Sequence, residues 1–299
     1  MKDHVNWANP YEDRNGQWLK GNLHTHTSPG SLCGQISVED CVGAYVERGY
    51  DFVSISDHMT HTLHADDRIA LIPGVEWNDA AGGCHTGVCS LDPSVLKTAI
   101  AISDHTVLLD SLADTKALVI LDHPNWQLTP HYRREELEAK HDYAGIEIYN
   151  AVIERLAGYA IATDKWDYLL ARGKKVLGFA ADDSHREPDI GLAAIYVRSK
   201  GRSARNIMAA IARGNFYASS GATIDDIRLE NGVIEIETPD AQQIEARVDG
   251  GICVRRVTDR SLRFDTRGLR RAYVRFTVYA SGSAMAWTQP FFLPEPQPD

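Results

Sequence analysis

Histidines and carboxylates stand where several predicted strands end, and this placement indicates metal-dependent chemistry. The candidate ligands are His24, His26, His58, Glu76, His85, His123, Asp183 and His185. In a domain of parallel strands, the carboxyl ends lie on one side, so residues far apart in sequence converge there. Mixed imidazole and carboxylate ligands suit Zn²⁺, Mn²⁺ or Fe²⁺ better than Ca²⁺. We therefore predict a divalent-metal centre.

The spacing of two short motifs supports this prediction. His24 and His26 are two residues apart, as are Asp183 and His185. Side chains two apart on a strand share one face, so each motif can send two ligands into one site. Either motif alone also occurs as ordinary polarity at a strand end, and it is the joint placement that favours a metal centre.

Neighbouring residues at the second strand end need different roles. Asp57 and His58 are adjacent and would face opposite ways in a regular strand. We assign His58 as a ligand and Asp57 as a partner that orients an imidazole. Glu76 has an alternative as a loop cap, and His123, before Pro124, has one as a turn residue.

The remaining histidines in the body of the chain lie in predicted helices or loops, and most are expected to be solvated: His61, His64, His105, His131 and His141. His61 and His64 follow the second strand, so an alternative places them at the mouth of the site. Cys84 and Cys89 flank a histidine strand, but we interpret them as buried structural cysteines because Cys84 and its neighbour His85 would face opposite ways.

The elements that position these residues alternate in type. From residue 18 to about 215, short apolar strands alternate with amphipathic helical stretches, which predicts a mostly parallel sheet, open or closed. After Gly221 the pattern changes to period two with turn residues between the runs, which predicts antiparallel strands. The expected division is residues 1–220 and a β-rich extension, residues 221–299.

Composition limits the function further. The formal net charge is −10 and no basic run interrupts it, which argues against a large nucleic-acid surface. The five cysteines are odd in number and irregularly spaced, so a disulfide framework is not expected. We see no signal peptide and no membrane span. The simplest interpretation is a cytoplasmic protein with a small-molecule substrate, with a homo-oligomer left open.

The ordered phrases LHTHT, SDH, PGVEW, HTG, DHP and DDSH resemble the PHP family, named for polymerase and histidinol phosphatase, over about residues 18 to 219. The resemblance implies an α/β fold, a distorted (β/α)₇ TIM-like barrel, with two or three divalent metal ions. It implies one metal at His24, His26, Glu76 and Asp183, a second at Glu76, His85 and His123, and a third at His58 and His185. Later phrases such as EIYN and GNFYASSG resemble the branch that includes carbamate hydrolases of the CehA/McbA type, with a small antiparallel extension.

The chain departs from the family pattern at one place. Many members carry an Asp-Gly pair a few residues after the HxH motif, and here Cys33 and Gly34 stand there. Cys33 is either a thiolate ligand that favours zinc or a position without a ligand, with two metals bound. We favour the second interpretation because the other ligands suffice.

The resemblance implies a hydrolase that uses a metal-bound hydroxide, with Glu76 bridging the metals and Asp183 steering the water proton. The expected catalytic set is Glu76, Asp183, His185, Asp57 and Arg186. Three functions stay open: a phosphoesterase on a small phosphate mono- or diester, which we favour, a carboxylic or carbamate ester hydrolase on a neutral aromatic substrate, and a regulatory module that has lost activity. Arg186 would bind phosphate or pair with Glu187, and Trp126 would form an apolar wall or pack in the core.

Overall fold

A computed structural model describes residues 5–79, 83–127 and 131–293. The first ten strands are β1 (Gln17–Asn22), β2 (Phe52–Val53), β3 (Ala70–Leu71), β4 (Gly74–Asn78), β5 (His85–Cys89), β6 (Leu118–Leu121), β7 (Gly145–Asn150), β8 (Leu177–Ala181), β9 (Ala194–Ser199) and β10 (Phe216–Ser219). The α-helices are α1 (Val38–Glu47), α2 (Pro93–Ala101), α3 (His105–Leu112), α4 (Arg134–Ala139), α5 (Thr163–Ala171) and α6 (Ala204–Ala212). Short 3₁₀ turns span Ala151–Arg155, Glu187–Asp189, Asp249–Gly251 and Ser281–Ser283.

The helix ends follow local sequence signals. Ser37 accepts a hydrogen bond from the backbone N–H of Asp40 at the start of α1, as an N-cap residue does. Gly49, two residues after this helix, has a φ of +72°, a backbone conformation that glycine adopts without strain. α5 begins at Thr163, after a 3₁₀ turn that ends at Arg155 and a loop.

The strands pair in three sheets of mixed direction. One five-stranded sheet has the order β4-β5-β6-β7-β8. Its β6-β7 and β7-β8 pairs are parallel, whereas β4-β5 and β5-β6 are antiparallel. In the largest sheet β1 pairs in parallel with β2 and antiparallel with β9. The expectation of a mostly parallel sheet was therefore wrong, and the fold is mixed α/β.

Two isolated parallel bridges connect the five-stranded sheet to the sheet of β1. Thr25 bridges to Ser184 beyond β8, and His58 bridges to Glu76 in β4. Leu19 and Ile195 of one sheet and Ile120 and Phe179 of the other share one buried apolar core. Both sheets thus enclose a common interior, while the strand pairing by itself does not show a closed (β/α)₇ barrel.

The chain after residue 221 is antiparallel, as predicted. Its strands are β11 (Asp226–Glu230), β12 (Val233–Glu237), β13 (Gln243–Val248), β14 (Ile252–Val257), β15 (Ser261–Asp265), β16 (Tyr273–Tyr279), β17 (Met285–Thr288) and β18 (Phe291–Phe292). β11, β12 and β15 form a small sheet of their own. The others continue the sheet of β1, since β17 pairs with β10. The boundary near residue 220 stays a prediction, although the sheet crosses it.

A buried ion pair fastens the late strands to the early ones. Arg275 of β16 donates to both oxygens of Asp167 in α5, at 2.7 and 2.5 Å. Tyr273 donates to the same carboxylate at 2.8 Å. Arg275 is only 1% exposed, so this contact is made away from water.

Among the described residues, none of the helices has the length and apolar character that a membrane span needs.

Candidate metal centre

Glu76 lies at the centre of a cluster of imidazoles. β4 carries it into the interior, where it is 1% exposed. Five histidine nitrogens lie within 3.4 Å of its oxygens: His24, His26 and His58 at Oε2, and His85 and His123 at Oε1. One carboxylate thus faces imidazoles on both of its oxygens, which is the arrangement that a carboxylate bridging two cations requires.

Asp183 supplies the second carboxylate. Its Oδ1 lies 3.2 Å from Nε2 of His24 and 3.2 Å from Nε2 of His26. Nδ1 of His185 lies 3.7 Å from the same oxygen, and Asn150 donates to Oδ2 at 3.2 Å. The two short motifs singled out in the sequence, HxH and DxH, therefore meet at one point.

Two candidate ligands occupy strained backbone positions. φ is +30° at His123 and +52° at Asp183, a region that costs a non-glycine residue on the order of 1–3 kcal/mol. Both residues follow buried strands, β6 and β8. The N–H of His123 donates to Glu147 at 2.8 Å and that of Asp183 to the carbonyl of His24 at 3.1 Å. These bonds hold turns that direct both side chains into the cluster.

Hydrogen bonds fix which imidazole nitrogens face the carboxylates. Nδ1 of His24 lies 2.8 Å from Glu147, and Nδ1 of His26 lies 3.1 Å from the Ser31 hydroxyl. The Ser31 proton is itself donated to Asp57 at 2.7 Å, so its oxygen accepts from His26. Both Nδ1 atoms therefore carry protons, and the two Nε2 atoms face each other at 3.1 Å. Two lone pairs at this distance need a proton or a metal ion between them.

Several buried atoms of the cluster have neighbours but no hydrogen bond: His58 Nδ1, Glu76 Oε2 and Asp183 Oδ1. Buried polar atoms are normally satisfied, so these converging atoms need protons or cations between them. Groups whose ligand atoms lie within 4.8 Å of one another include His24–His26–Glu76, His24–His123–Asp183, His58–Glu76–His85 and His26–His58–His185. The eight predicted ligands come together in one cluster, and their roles as ligands stay a prediction.

The cluster attracts positive charge. Burial lowers the pKa of His26, but the carboxylates of Asp183 and Glu76 outweigh burial and raise that pKa to about 9. Burial raises the pKa values of Glu76 and Asp183, yet the neighbouring imidazoles hold both well below the ordinary range. Burial, with His26 and His85, lowers the pKa of His58 to about 4 against the pull of Glu76. Divalent cations would displace the protons held here.

Asp57 does not contact an imidazole. It accepts hydrogen bonds from the Thr27 backbone and hydroxyl at 2.7 and 2.8 Å, from Ser31 at 2.7 Å, and from Thr62. The Ser31 hydroxyl in turn accepts from His26 and from the backbone N–H of His58, the latter at 2.9 Å. Asp57 therefore orients the imidazole of His26 through Ser31, and a direct contact is not formed because Asp57 faces the loop after β1.

Glu147 was not predicted from the sequence. It is 2% exposed and bonds to His24, to the backbone of His123 and, at 2.8 Å, to Asn150. The signal for it was a carboxylate within the apolar strand GIEIYN, since a charge in a buried strand needs a partner. Glu147 thus orients one candidate ligand and positions the turn of another.

Two arginines lie beside the edge of the cluster at His185. Arg186 donates to Asp189 at 3.3 Å, and Glu187, the alternative partner of Arg186, pairs with Arg48 at 3.1 Å. Arg155, which was not predicted, donates to both oxygens of Asp189 at 3.1 and 2.8 Å. The backbone N–H of His185 also donates to Asp189, at 3.3 Å. This carboxylate therefore holds two guanidinium groups next to His185.

The expectation of solvated histidines was wrong for two of the five. His105 is 6% exposed, stacks on Trp77 and lies 2.9 Å from the Thr86 hydroxyl. His131 is also 6% exposed and belongs to a group with His85 and His123 whose ligand atoms lie within 4.8 Å. Their burial could not be predicted because His105 is the first residue of α3 and His131 lies shortly before α4, and no periodicity indicates a face at either position. His141 is exposed, and His61 and His64 are half-buried.

Trp126 lies against the cluster. Its ring centroid is 5.1 Å from that of His123 and 5.7 Å from that of His85. It is half-buried, so the ring lines the edge of the site. Leu32 and Leu63, on the loops that follow the HxH motif and His58, are exposed. They follow Ser31 and Thr62, which both bond to Asp57.

All five cysteines are free, as expected without a disulfide framework. Cys89 is buried and lies 3.6 Å from the Ser54 hydroxyl, while Cys84 is half-buried. Cys33 is half-buried in the loop that follows the HxH motif. Burial, with the nearby carboxylates of Glu76 and Asp183, raises the pKa of its thiol to about 11.

Comparison with known proteins gives a likeness of fold. No family model and no curated protein matches the chain. Among solved structures, it is similar to a two-domain protein of Bacteroides vulgatus that contains a predicted PHP-like metal-dependent phosphoesterase. The identity is 15%, the TM-score is 0.51, and the match covers 94% of this chain and 88% of that one.

A second similar structure is a lesion-specific endonuclease, EndoQ, of Pyrococcus furiosus. The identity is 14% and the TM-score is 0.50, and the match covers 65% of this chain and 56% of the endonuclease. The chain thus corresponds to little more than half of that enzyme. Identities this low carry information on architecture only. The chain therefore has a mixed α/β fold similar to the folds of these two proteins.

Proposed function

We propose that this protein is a metal-dependent hydrolase of the PHP superfamily that cleaves small-molecule phosphate mono- or diesters. The observation that carries the proposal is Glu76, buried, with imidazoles on both carboxylate oxygens. His24, His26, Glu76 and Asp183 would hold one cation, and Glu76, His85 and His123 a second. When bound, such cations lower the pKa of water toward neutrality and offset charge that develops on phosphoryl oxygens.

Other residues of the site orient the candidate ligands and transfer protons. Glu147 and Ser31 hold the protons on Nδ1 of His24 and His26, so that Nε2 of each ring stays directed at the carboxylates. Nδ1 of His185 lies 2.8 Å from the carbonyl oxygen of Asp183. Because a carbonyl only accepts, Nδ1 carries the proton and Nε2 carries the lone pair. His185, with its side chain 19% exposed, can then take up a proton at Nε2 and pass it to a leaving group at the mouth.

Arg186 and Arg155 favour a phosphate ester over a neutral ester. Their side chains are 46% and 38% exposed, and both form ion pairs with Asp189, which also accepts from the backbone of His185. Guanidinium groups bind nonbridging phosphate oxygens in paired hydrogen bonds. The net charge of −10 favours a small substrate over a nucleic acid.

A second candidate is a carbamate or carboxylic ester hydrolase of the CehA/McbA type that takes a neutral aromatic substrate. The ring of Trp126 at the edge of the cluster supports it, as do the exposed side chains of Leu32 and Leu63 on loops that bond to Asp57. Apolar walls of this kind bind an aromatic group. A regulatory module without activity is the third alternative, and it lacks a supporting observation.

The test is a substrate panel with metal-loaded protein: aryl phosphates, aryl phosphodiesters and aryl carbamates. We expect hydrolysis of a phosphate ester that stops on metal chelation, and Arg186→Gln should raise KM for phosphate esters without changing the turnover of neutral esters. Hydrolysis of carbamates alone would establish the second candidate. Bound metal with no turnover of any substrate would favour the regulatory module.

A further inference from the structure

We propose that His131 is an additional ligand of the cation on the Oε1 side of Glu76, a role that the sequence motifs do not assign. The inference rests on the proposed metal-dependent function and deepens it. His131, His85 and His123 form a group whose ligand atoms lie within 4.8 Å of one another. The ring centroid of His131 lies 4.6 Å from that of His123 and 5.1 Å from that of His85.

The position of His131 is fixed by its neighbour in the chain. Tyr132 is 1% exposed, and its hydroxyl donates to the carbonyl of His85 at 2.6 Å. Lys165 donates to the carbonyl of Tyr132 at 2.6 Å and also to that of Pro124. These bonds tie His131 to the strand that carries His85 and to the turn after His123, so the three imidazoles approach one another for a structural reason.

Burial supports a ligand role. His131 is 6% exposed, and Trp126 covers it with a ring centroid 5.0 Å away. Three imidazoles and a carboxylate packed together, away from water, supply the ligand types that a buried transition-metal ion takes. The carboxylate is Glu76, whose Oε1 lies 2.7 Å from His85 and 3.3 Å from His123.

The two cations would then differ in their ligands. The first has two imidazoles and two carboxylates, from His24, His26, Glu76 and Asp183. The second gains a third imidazole and has one carboxylate. Nitrogen-rich sets favour Zn²⁺ or Co²⁺ over Mn²⁺ and Mg²⁺, which prefer oxygen. We therefore expect the second position to select a softer metal.

The experiment is a titration of metal-free protein with Co²⁺, followed by visible absorption. The wild-type protein should bind at least two equivalents. His131→Ala and His131→Gln, the second of which keeps volume and polarity, should bind one equivalent about 100-fold more weakly, since even partners outside the ligand set typically cost 10–100-fold. The absorption bands of that equivalent should also change. The matched control is His105→Gln, a buried histidine that bonds to Thr86 and stacks on Trp77.

The outcomes separate this inference from the proposed function. If wild-type protein binds no Co²⁺, the metal-dependent function itself is wrong. Wild-type binding with unchanged affinity and spectrum in both His131 variants overturns the inference alone. Weaker binding with unchanged bands also overturns it, because His131 would then position a ligand without being one. Circular dichroism of each variant shows that the fold is kept.

Discussion

At the scale of single residues, hydrogen-bond partners determine which nitrogen of each imidazole carries a proton. Ser31 connects three groups by hydrogen bonds, because its hydroxyl donates to Asp57 and accepts from His26 and from the backbone of His58. Glu147 likewise accepts a hydrogen bond from Nδ1 of His24. These contacts matter because a histidine ligates only through an unprotonated nitrogen, and the partner of the other nitrogen selects it.

Ser31→Ala should lower both metal affinity and turnover by roughly 10–100-fold, since it removes the acceptor that fixes the ring of His26. It also leaves buried Asp57 with one donor fewer, which costs about 1–3 kcal/mol of stability. Metal titration and thermal unfolding measure the two effects. Thr98→Ala, which removes a hydroxyl on the exposed face of α2, is the control. Equal metal affinity in the two variants would show that Ser31 does not orient a ligand.

Cys33→Ala should leave the number of bound metal ions unchanged. The other candidate ligands already suffice for two cations without Cys33. Cys33→Asp could add a third ion beside His58 and His185. Elemental analysis of both variants checks this. Loss of one metal equivalent in Cys33→Ala would mean that the thiolate is a ligand.

At the scale of elements, the late strands are part of the structure that supports the site. α5 carries Asp167 on one side and packs beside β7, the strand of Glu147. Arg275 of β16 holds Asp167 from the other side. The antiparallel strands thus stabilise the helix layer behind the cluster, while every candidate ligand comes from the chain before residue 186.

Arg275→Ala should destabilise the protein by about 3–5 kcal/mol, because it leaves the buried carboxylate of Asp167 without its charge partner. Urea unfolding measures the change. Arg267→Ala, which removes an exposed pair with Asp265, is the control and should leave the stability nearly unchanged. The same small loss in both variants would show that the contact between β16 and α5 contributes little.

At the scale of the whole molecule, the sequence was informative where a residue type has one common role. Histidines at strand ends predicted the cluster, and period-two alternation predicted the late strands. Glu147 was missed because its partner His24 is 123 residues away, and His131 because burial depends on Trp126 and Tyr132 packing around it. Strand direction was also misjudged, since the order of β4, β5 and β6 depends on pairing that no local pattern records.

The central claim is that Glu76 joins two cations, and metal analysis of gently purified protein tests it most directly. Wild-type protein should hold at least two equivalents of transition metal per chain, or take them up on titration. Glu76→Gln should lose affinity for both, and His24→Ala and Asp183→Ala should each abolish hydrolysis with the fold kept. Wild-type protein that takes up no metal, or Glu76→Gln that binds two equivalents as tightly as wild type, would contradict the account.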